Sequence, residues 1–474
     1  MRALPYLQTD NKLINTAFRV AMGDIVGNIQ PFQDGLLEQA QPCILAGLEY
    51  DTPWTRDTAI NVWNGAGLLF PEASRSTLLS VLERSAGSET RIGGQYWDAI
   101  IWVTGAWAYY LYTGDREMLA LAFEAARNSL AHFEASELNP ATGLFRGPAC
   151  YGDGVAAYPD LYAQTGGSSS ILAWPKHHPD KVSTPGMGIP MQALSTNCLY
   201  YNAYRLMSDL AGELGLPEDP AWAQKAEQLR AAIHQRLWDP QRGMYRYLDD
   251  EWGGSDHQEG LGSSFALLLG VAGPDQACQV LAHQHVTPYG IPCVWPRYAR
   301  YQRDPDSFGR HSGTVWPHIQ GFWAEAAARA GAVDLFRHEL FRLAELAVRD
   351  GMFAEIYHPL SGEIYGGLQE GAPGWQWHSC RRQTWSATAF LRMVLMGLIG
   401  MDFTPEGIAF RPALPPGVSR LSLRGLPYRA ATLHVTISGT GNQLAEFTLN
   451  GRKAERAFLS AQAENEQEII LKVS

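Results

Sequence analysis

Apolar residues recur at helical spacing through most of the first 400 residues. In 195–215, apolar side chains fall at i, i+4, i+7, i+11 and i+15, capping residues precede them and Gly215 follows them. The next segment repeats the scheme, with Asp219 placed to cap a helix whose first residue is Pro220. The two segments predict a helical hairpin.

About twelve segments between residues 11 and 399 carry the same pattern, which corresponds to six hairpins. Six hairpins that close into a ring form an (α/α)6 barrel, and we predict this all-α fold for residues 1–400. From residue 403 onward, short alternating runs rich in Val, Ile, Thr and Phe replace the helical pattern, and Asn450-Gly451 is a strong hairpin signal. We therefore predict a second, small, β-sandwich-like antiparallel domain over residues 403–474.

One turn sequence occurs three times within the helical region. LNPATGLFR (138–146), WDPQRGMYR (238–246) and YHPLSGEIY (357–365) each have Pro, then Gly three residues later, then an aromatic residue two or three after the Gly. Pro fixes a negative φ and Gly supplies a positive one, which is typical of tight turns. The repetition indicates one supersecondary unit that the chain uses several times.

Composition and charge exclude several classes of partner. The chain has 474 residues, 46% hydrophobic and 18% charged, and its net charge of -11 includes no basic cluster, so neither nucleic acid nor an anionic membrane is an expected partner. No signal-like or membrane-spanning apolar run is present, and we expect a cytoplasmic protein. Six scattered cysteines without a C-x-x-C pair, and histidines without ligand spacing, predict neither metal nor cofactor. The oligomeric state stays open.

Five loops combine Gly or Pro with an aromatic residue and a charged or imidazole group: 51–59, 93–102, 146–162, 309–317 and 351–367. Any one of them is equally well explained as a helix start. The Arg and Asp of 51–59 are also explained as an ion pair under the first turn of such a helix. Together they favour a carbohydrate pocket, with a small carbohydrate as the partner. The candidate substrate-binding residues are Trp54, Arg56, Asp57, Gln95, Trp97, Asp98, Tyr151, His311, Trp316, Tyr357, Trp377 and Trp385.

Glycoside hydrolysis requires two carboxyl groups, one protonated to donate to the leaving oxygen and one ionised. Asp153 and Glu355 are the candidates, because each stands among small, apolar or aromatic neighbours. Such surroundings, with no cation nearby, raise the pKa of a general acid. Asp153 is also explained as an Asp-Gly turn and Glu355 as an exposed turn residue, while Asp98 competes for the role of acid.

The pieces PWTRDTA, QYWDAIIWVTGAWAYYLYTGD, GPACYGDG, SGTVWP, AEIYHPLSG and RQTWSATAF occur in an order that resembles glycoside hydrolase family 63. The similarity is to its small bacterial members, which act on α-glucosides and mannosylglycerate, or to a sister family in the same clan. This resemblance implies an inverting exo-acting hydrolase of a terminal α-glycosidic bond, most simply an α-glucosidase, with Asp153 as general acid and Glu355 as general base. The sequence YGDG differs from that of the family's loop that carries the general acid.

The C-terminal segment resembles the closing domain of rhamnosidase-type and phosphorylase-type relatives. An inverting disaccharide phosphorylase and an α-L-rhamnosidase-like enzyme therefore remain alternatives. A sugar epimerase with paired histidine bases, and a non-catalytic sugar-binding protein, are more remote ones.

Overall fold

The computed structural model describes residues 4–85, 87, 89–371 and 375–474. Twelve helices of seven or more residues lie before residue 400 in this part of the chain. They are α1 (Lys12–Gly27), α2 (Thr55–Asn61), α3 (Pro71–Ser80), α4 (Ile101–Thr113), α5 (Arg116–Glu137), α6 (Leu194–Leu214), α7 (Pro220–Leu237), α8 (Gly260–Leu268), α9 (Pro274–His283), α10 (Pro317–Arg329), α11 (Val333–Asp350) and α12 (Thr384–Arg392). The apolar pattern over 73–86 predicts one of the twelve helices; the structure has the shorter α3 (Pro71–Ser80) there, and residue 86 lies outside the described residues.

Helix starts follow the sequence signals in the predicted hairpin. The Asp219 side chain accepts a hydrogen bond from Ala221 N at 3.0 Å, and Pro220 is the first residue of α7. Helix α6 ends at Leu214, and Gly215 caps it with φ 70°. Helices α6 and α7 contact each other along their length, so the hairpin prediction is confirmed.

The even-numbered helices contact one another in a closed cycle, in the order α2, α4, α6, α8, α10, α12 and back to α2. The odd-numbered helices α3 to α11 each follow an even-numbered helix in the chain, and α5, α7 and α11 each pack on the cycle. One continuous cluster of buried side chains, which includes Trp97, Trp102, Tyr200 and Trp323, fills the space between these helices. The first residues of the even-numbered helices lie at the end of the cycle that carries the long loops.

The three copies of the turn sequence adopt the same local structure. Gly143, Gly243 and Gly362 have φ of 73°, 61° and 72°, the positive values that the sequence predicts. The first two copies are short hairpins, Leu138–Asn139 with Leu144–Phe145 and Trp238–Asp239 with Met244–Tyr245. In the third copy, Tyr357 forms a bridge with Ile364.

Other two-stranded pairs support the loops. They are Ile29–Phe32 with Gln41–Ile44, Leu82–Arg84 with Thr90–Ile92, Gln192–Ala193 with Leu248–Asp249, and Gln258–Glu259 with Val294–Trp295. Short helical turns lie at Val62–Ala66, Gly67–Leu69, Val155–Ala157, Ile171–Ala173, Trp174–His177, Ala299–Tyr301 and Met393–Leu398. None of the described helices is long and apolar enough to cross a membrane.

The C-terminal strands form two sheets that share one hydrophobic cluster. The larger sheet has the order Tyr6–Thr9, Arg420–Tyr428, Ala431–Gly439, Asn465–Val473, Leu444–Leu449 and Arg452–Lys453, and the smaller one contains Met401–Thr404, Gly407–Phe410 and Phe458–Ser460. Asn450 and Gly451 both have positive φ, so the predicted hairpin turn is confirmed.

Two features of the larger sheet differ from the prediction. Ala431–Gly439 and Asn465–Val473 run parallel, so the sheet is mixed and not wholly antiparallel. Its outer strand Tyr6–Thr9 comes from the start of the chain and pairs with Arg420–Tyr428. Alternation within each strand carries no information about which distant strand becomes its neighbour, and therefore the sequence pattern did not reveal either feature.

Candidate active site

A cavity of about 210 Å³ opens at the loop end of the helix cycle. The loops and first turns that lead into α2, α4, α6, α10 and α12 supply its walls, because the even-numbered helices all begin at this end. The lining residues are Tyr50, Trp54, Arg56, Asp57, Gln95, Tyr151, Asp153, Gly154, Ser169, Ser170, Arg310, Trp316, Glu355, Gln369, Trp377, Gln383 and Trp385.

Arg56, in the first turn of α2, connects several acidic side chains on this wall. Its Nη1 donates to Gln95 Oε1 at 2.8 Å and to Asp98 Oδ2 at 2.9 Å, and its Nη2 donates to Asp153 Oδ2 at 3.0 Å. Its Nε lies 3.8 Å from Asp57 Oδ2. One buried guanidinium group therefore holds three carboxylates from three separate segments.

Asp153 is the most accessible of the three carboxylates, with 38% of its side chain exposed against 3% for Asp98. Asp153 lies in the long connection between α5 and α6, residues 138–193. Backbone hydrogen bonds within this connection fix its position, since Ile171 N donates to Asp153 O at 3.0 Å and Val155 N donates to Ser169 O at 2.9 Å. Burial raises the pKa of Asp153, but the charges of Arg56 and Arg310 outweigh burial and place the pKa below its ordinary value. The expectation of a raised pKa without a nearby cation is wrong, because Arg56 approaches from 97 residues away.

Glu355 lies in the loop before α12 and is 3% exposed. Its Oε1 accepts from the Tyr50 hydroxyl at 2.9 Å, and its Oε2 accepts from Arg310 Nη2 at 2.7 Å and from Cys380 N at 3.2 Å. Arg310 is itself fixed, because its Nη1 donates to the carbonyl oxygens of Gly366 at 3.2 Å and His378 at 2.8 Å. Both oxygens of Glu355 thus have fixed orientations at the cavity wall.

Two further carboxyl groups are deeply buried beside Arg56. Burial raises the pKa of Asp57 to about 7, although Arg56 lowers it. Burial likewise raises the pKa of Asp98 to about 6 against the opposing effect of Arg56. Asp57 lines the cavity and accepts from Gln383 Nε2 at 3.4 Å, whereas Asp98 lies behind Arg56. Asp98 is therefore shielded from a ligand in the cavity, and Asp153 is not.

Stacked aromatic rings form part of the cavity wall. His311 stacks on Trp316 with ring centroids 4.6 Å apart, and His318 stacks on Trp385 at 4.1 Å. Tyr151 packs beside both histidines at 5.8 and 6.1 Å. Burial, with the charge of Arg310, lowers the pKa of His311 to about 3, so its ring is neutral near pH 7. Trp316, Trp385 and Tyr151 therefore line the cavity, and the two buried histidines support these rings from behind.

The structure brings together most of the residues singled out from the sequence. Ten of them line the cavity: Trp54, Arg56, Asp57, Gln95, Tyr151, Asp153, Trp316, Glu355, Trp377 and Trp385. Trp97, Asp98 and His311 lie behind this lining as buried supports.

Tyr357 was predicted to bind substrate, but its side chain packs elsewhere. It is fully buried in a small cluster with Val315, Leu346 and Ala354, and its hydroxyl accepts from Ala354 N at 2.9 Å. Glu355 and Tyr357 lie on either side of Ile356 in an extended stretch. Backbone hydrogen bonds of Tyr357 with Val315, and of Ile356 with Tyr365, hold this stretch so that the Tyr357 side chain stays in the core.

Sequence reasoning missed seven lining residues: Tyr50, Gly154, Ser169, Ser170, Arg310, Gln369 and Gln383. Arg310 and Gln383 stand within the motifs GRHSGTVWP and RQTWSATAF, so a signal for them was present. Tyr50 had none, because it reaches Glu355 across 305 residues of sequence. Among the residues that the structure describes, no group of three or more His, Cys, Asp or Glu side chains is arranged to hold a metal ion.

Two carboxylates that reach one aromatic-lined cavity form the constellation of a glycoside hydrolase. The sequence of residues 99–386, more than half of the chain, matches the protein family described as the mannosylglycerate hydrolase MGH1-like glycoside hydrolase domain. The chain therefore belongs to this family. No curated protein matches the sequence.

Solved structures share the fold at low sequence identity. A glycoside hydrolase family 63 mannosylglycerate hydrolase from Thermus thermophilus, in complex with glucose, is 19% identical with a TM-score of 0.56, and the match covers 79% of this chain and 98% of that one. A sialidase is 13% identical (TM-score 0.68; 98% and 41% covered), and an α-L-rhamnosidase from Dictyoglumus thermophilum is 10% identical (TM-score 0.59; 96% and 49%). The chain spans less than half the length of these last two proteins.

Proposed function

We propose that this protein is an inverting, exo-acting glycoside hydrolase that cleaves a terminal α-glycosidic bond, most simply an α-glucoside. One observation carries the proposal. Asp153 and Glu355, on loops about 200 residues apart in sequence, line the same cavity, and each is held by a different arginine. Family membership supports the reaction class, since a glycoside hydrolase works with such a pair.

In this proposal Asp153 protonates the leaving oxygen and Glu355 removes a proton from the attacking water. Asp57 and Asp153 of the Arg56 cluster both line the cavity, but 38% of the Asp153 side chain is exposed against 4% of the Asp57 side chain, so Asp153 suits the acid. Glu355 suits the base because Tyr50 and Arg310 fix its two oxygens, and a base must be held in line with the water that it activates. Asp98, the competing acid, is shielded behind Arg56.

The architecture supports the exo-acting part of the proposal. The closed contact cycle of the six even-numbered helices, with α5, α7 and α11 packed on it, supports an (α/α)6 barrel within residues 1–400. The β domain proposed for 403–474 includes the strand Tyr6–Thr9 as well. The cavity of about 210 Å³ is walled on one side by Trp316 and Trp385, which stack on the buried His311 and His318. We propose that a chain end enters this cavity.

Proton NMR during the first minutes of cleavage of an α-glucoside tests the mechanism. An inverting hydrolase releases the β-anomer first, at a rate that does not depend on phosphate. Release of the α-anomer contradicts inversion. A sugar phosphate formed only when phosphate is present indicates the phosphorylase alternative, and an epimerised sugar without cleavage indicates an epimerase.

A further inference from the structure

The cations of the cavity are already paired with acids. Arg56 and Arg310 are the only lysine or arginine residues in the lining that the structure describes. Arg56 contacts Asp57, Asp98 and Asp153, and Arg310 contacts Glu355 and two backbone carbonyl groups. Four carboxyl groups therefore surround two guanidinium groups, and this lining offers a ligand no unpaired positive charge.

The other polar side chains of the lining are uncharged. Tyr50, Gln95, Ser169, Ser170, Gln369 and Gln383 supply hydroxyl and amide groups, and four tryptophans supply apolar ring faces. Hydroxyl and amide groups exchange hydrogen bonds with sugar hydroxyls without any charge compensation. His311, which stacks on the lining residue Trp316, adds no cation either, because its buried ring is neutral near pH 7.

A ligand carboxylate meets unfavourable conditions here. It must lose its hydration, and a buried charge without a partner is costly. It also comes close to the negative charges of Asp153 and Glu355. The family takes its name from mannosylglycerate hydrolase, whose substrate carries a carboxylate on the aglycone. In this lining such an anion would meet only uncharged donors and no unpaired cation to balance its charge.

From this arrangement of charges we infer that the substrate is an uncharged glycoside, with a neutral sugar and a neutral leaving group, and not a glycosylglycerate or sialoside. This inference rests on the proposed hydrolysis and narrows it to a substrate class. It separates the chain from the activities that name its family and its sialidase relative.

The sharpest test compares two substrates, α-glucosylglycerate and α-glucosylglycerol. They differ at one group, because a neutral CH2OH in the glycerol compound replaces the carboxylate of the glycerate compound. With the full-length protein, kcat/KM for the glycerol compound should exceed that for the glycerate compound by about tenfold or more. An equal or higher value for the glycerate compound overturns the inference. The α-mannosyl pair repeats the comparison in case the enzyme prefers mannose.

A charge-gain variant gives an independent readout. Ser169 is half-buried in the lining, so Ser169→Lys adds an unpaired ammonium group, and Ser169→Gln adds similar length without charge. The ratio of kcat/KM for the glycerate compound to that for the glycerol compound should rise by about three- to fivefold in Ser169→Lys and not in Ser169→Gln. An unchanged ratio in both variants, together with good wild-type activity on the glycerate compound, contradicts the inference.

The design separates this inference from the proposed hydrolysis. If no glycoside, including nitrophenyl α-glucoside, is cleaved, the proposed hydrolysis fails. Calorimetric binding of the two uncleaved compounds then still tests the charge argument. Tighter binding of the glycerol compound supports it, and equal or tighter binding of the glycerate compound overturns it.

Discussion

Arg56 Nη2 lies 3.0 Å from Asp153 Oδ2, and this contact determines how much of the proposed acid is protonated. Because the pKa of Asp153 is lowered, only a small fraction of this side chain is protonated near neutral pH, and that fraction increases as the pH falls. For a poor leaving group, kcat/KM should therefore fall as pH rises from about 5 to about 8. A nitrophenyl glucoside, which needs little protonation, should show a weaker dependence. Equal pH profiles for both substrates would contradict the role of Asp153 as acid.

Asp153→Asn removes the acid without removing the base. Activity on alkyl glucosides should fall by about 10²- to 10⁴-fold, and activity on nitrophenyl glucosides should fall much less. Steady-state kinetics with a series of leaving groups measures the difference. Asp180→Asn, an exposed position in the same long connection, is the matched control. If Asp98→Asn shows the leaving-group dependence instead, the acid is Asp98.

Glu355→Gln should be nearly inactive toward natural glycosides, because nothing then activates the water. The variant should regain turnover on a β-glucosyl fluoride, or with added azide, since either one replaces the missing activated nucleophile. Glu363→Gln, a nearby carboxylate with 75% of its side chain exposed, should retain full activity. A covalent sugar trapped on Glu355 would instead make it a nucleophile and the enzyme retaining.

Tyr50→Phe tests whether the hydroxyl bond to Glu355 positions that carboxylate. Loss of this 2.9 Å hydrogen bond should reduce kcat by about tenfold and change KM little, because the bond acts on the base and not on the ring of the sugar. The pH profile of kcat should also shift, which a merely local packing defect would not produce. An effect on KM alone would place Tyr50 in substrate binding.

Glu259 gives a prediction about stability. It is fully buried, its Oε2 accepts from Ser195 N at 3.0 Å, and burial raises its pKa to about 8. A raised pKa gives stability that is present below the unfolded value of 4.5 and is lost as pH rises through about 8. Glu259→Gln mimics the protonated form and should weaken this loss, by a difference on the order of 2–3 kcal/mol between about pH 4.5 and pH 7.

Calorimetric melting of wild type and Glu259→Gln across that pH range measures the effect. The melting temperature of the variant should exceed that of the wild type by a margin that grows with pH. Parallel curves for the two proteins would show that Glu259 binds a proton no more tightly when folded than when unfolded.

Local sequence signals predicted what local forces determine. The positive φ of Gly143, Gly243 and Gly362, the cap at Asp219 and the turn at Asn450-Gly451 depend on residues within a few positions. Helical periodicity likewise fixed the position of α6 and α7, because the buried stripe of each helix follows its 3.6-residue repeat.

The electrostatics of the site depend on contacts between distant residues. Asp153 has apolar neighbours in sequence, yet Arg56 decides its protonation from 97 residues away. Glu355 and Tyr50 meet across 305 residues. No periodicity or motif encodes such a pairing, so the sequence indicated the two carboxylates without indicating their charge partners.

The pairing of Tyr6–Thr9 with Arg420–Tyr428 has a consequence for the order of events during synthesis. The strand Tyr6–Thr9 leaves the ribosome more than 400 residues before its partner strand is translated. Its neighbour α1 packs against α11 and α12, which are also translated much later than α1. Tyr6–Thr9 and α1 therefore stay without their final neighbours until the segment up to Arg420–Tyr428 has been made.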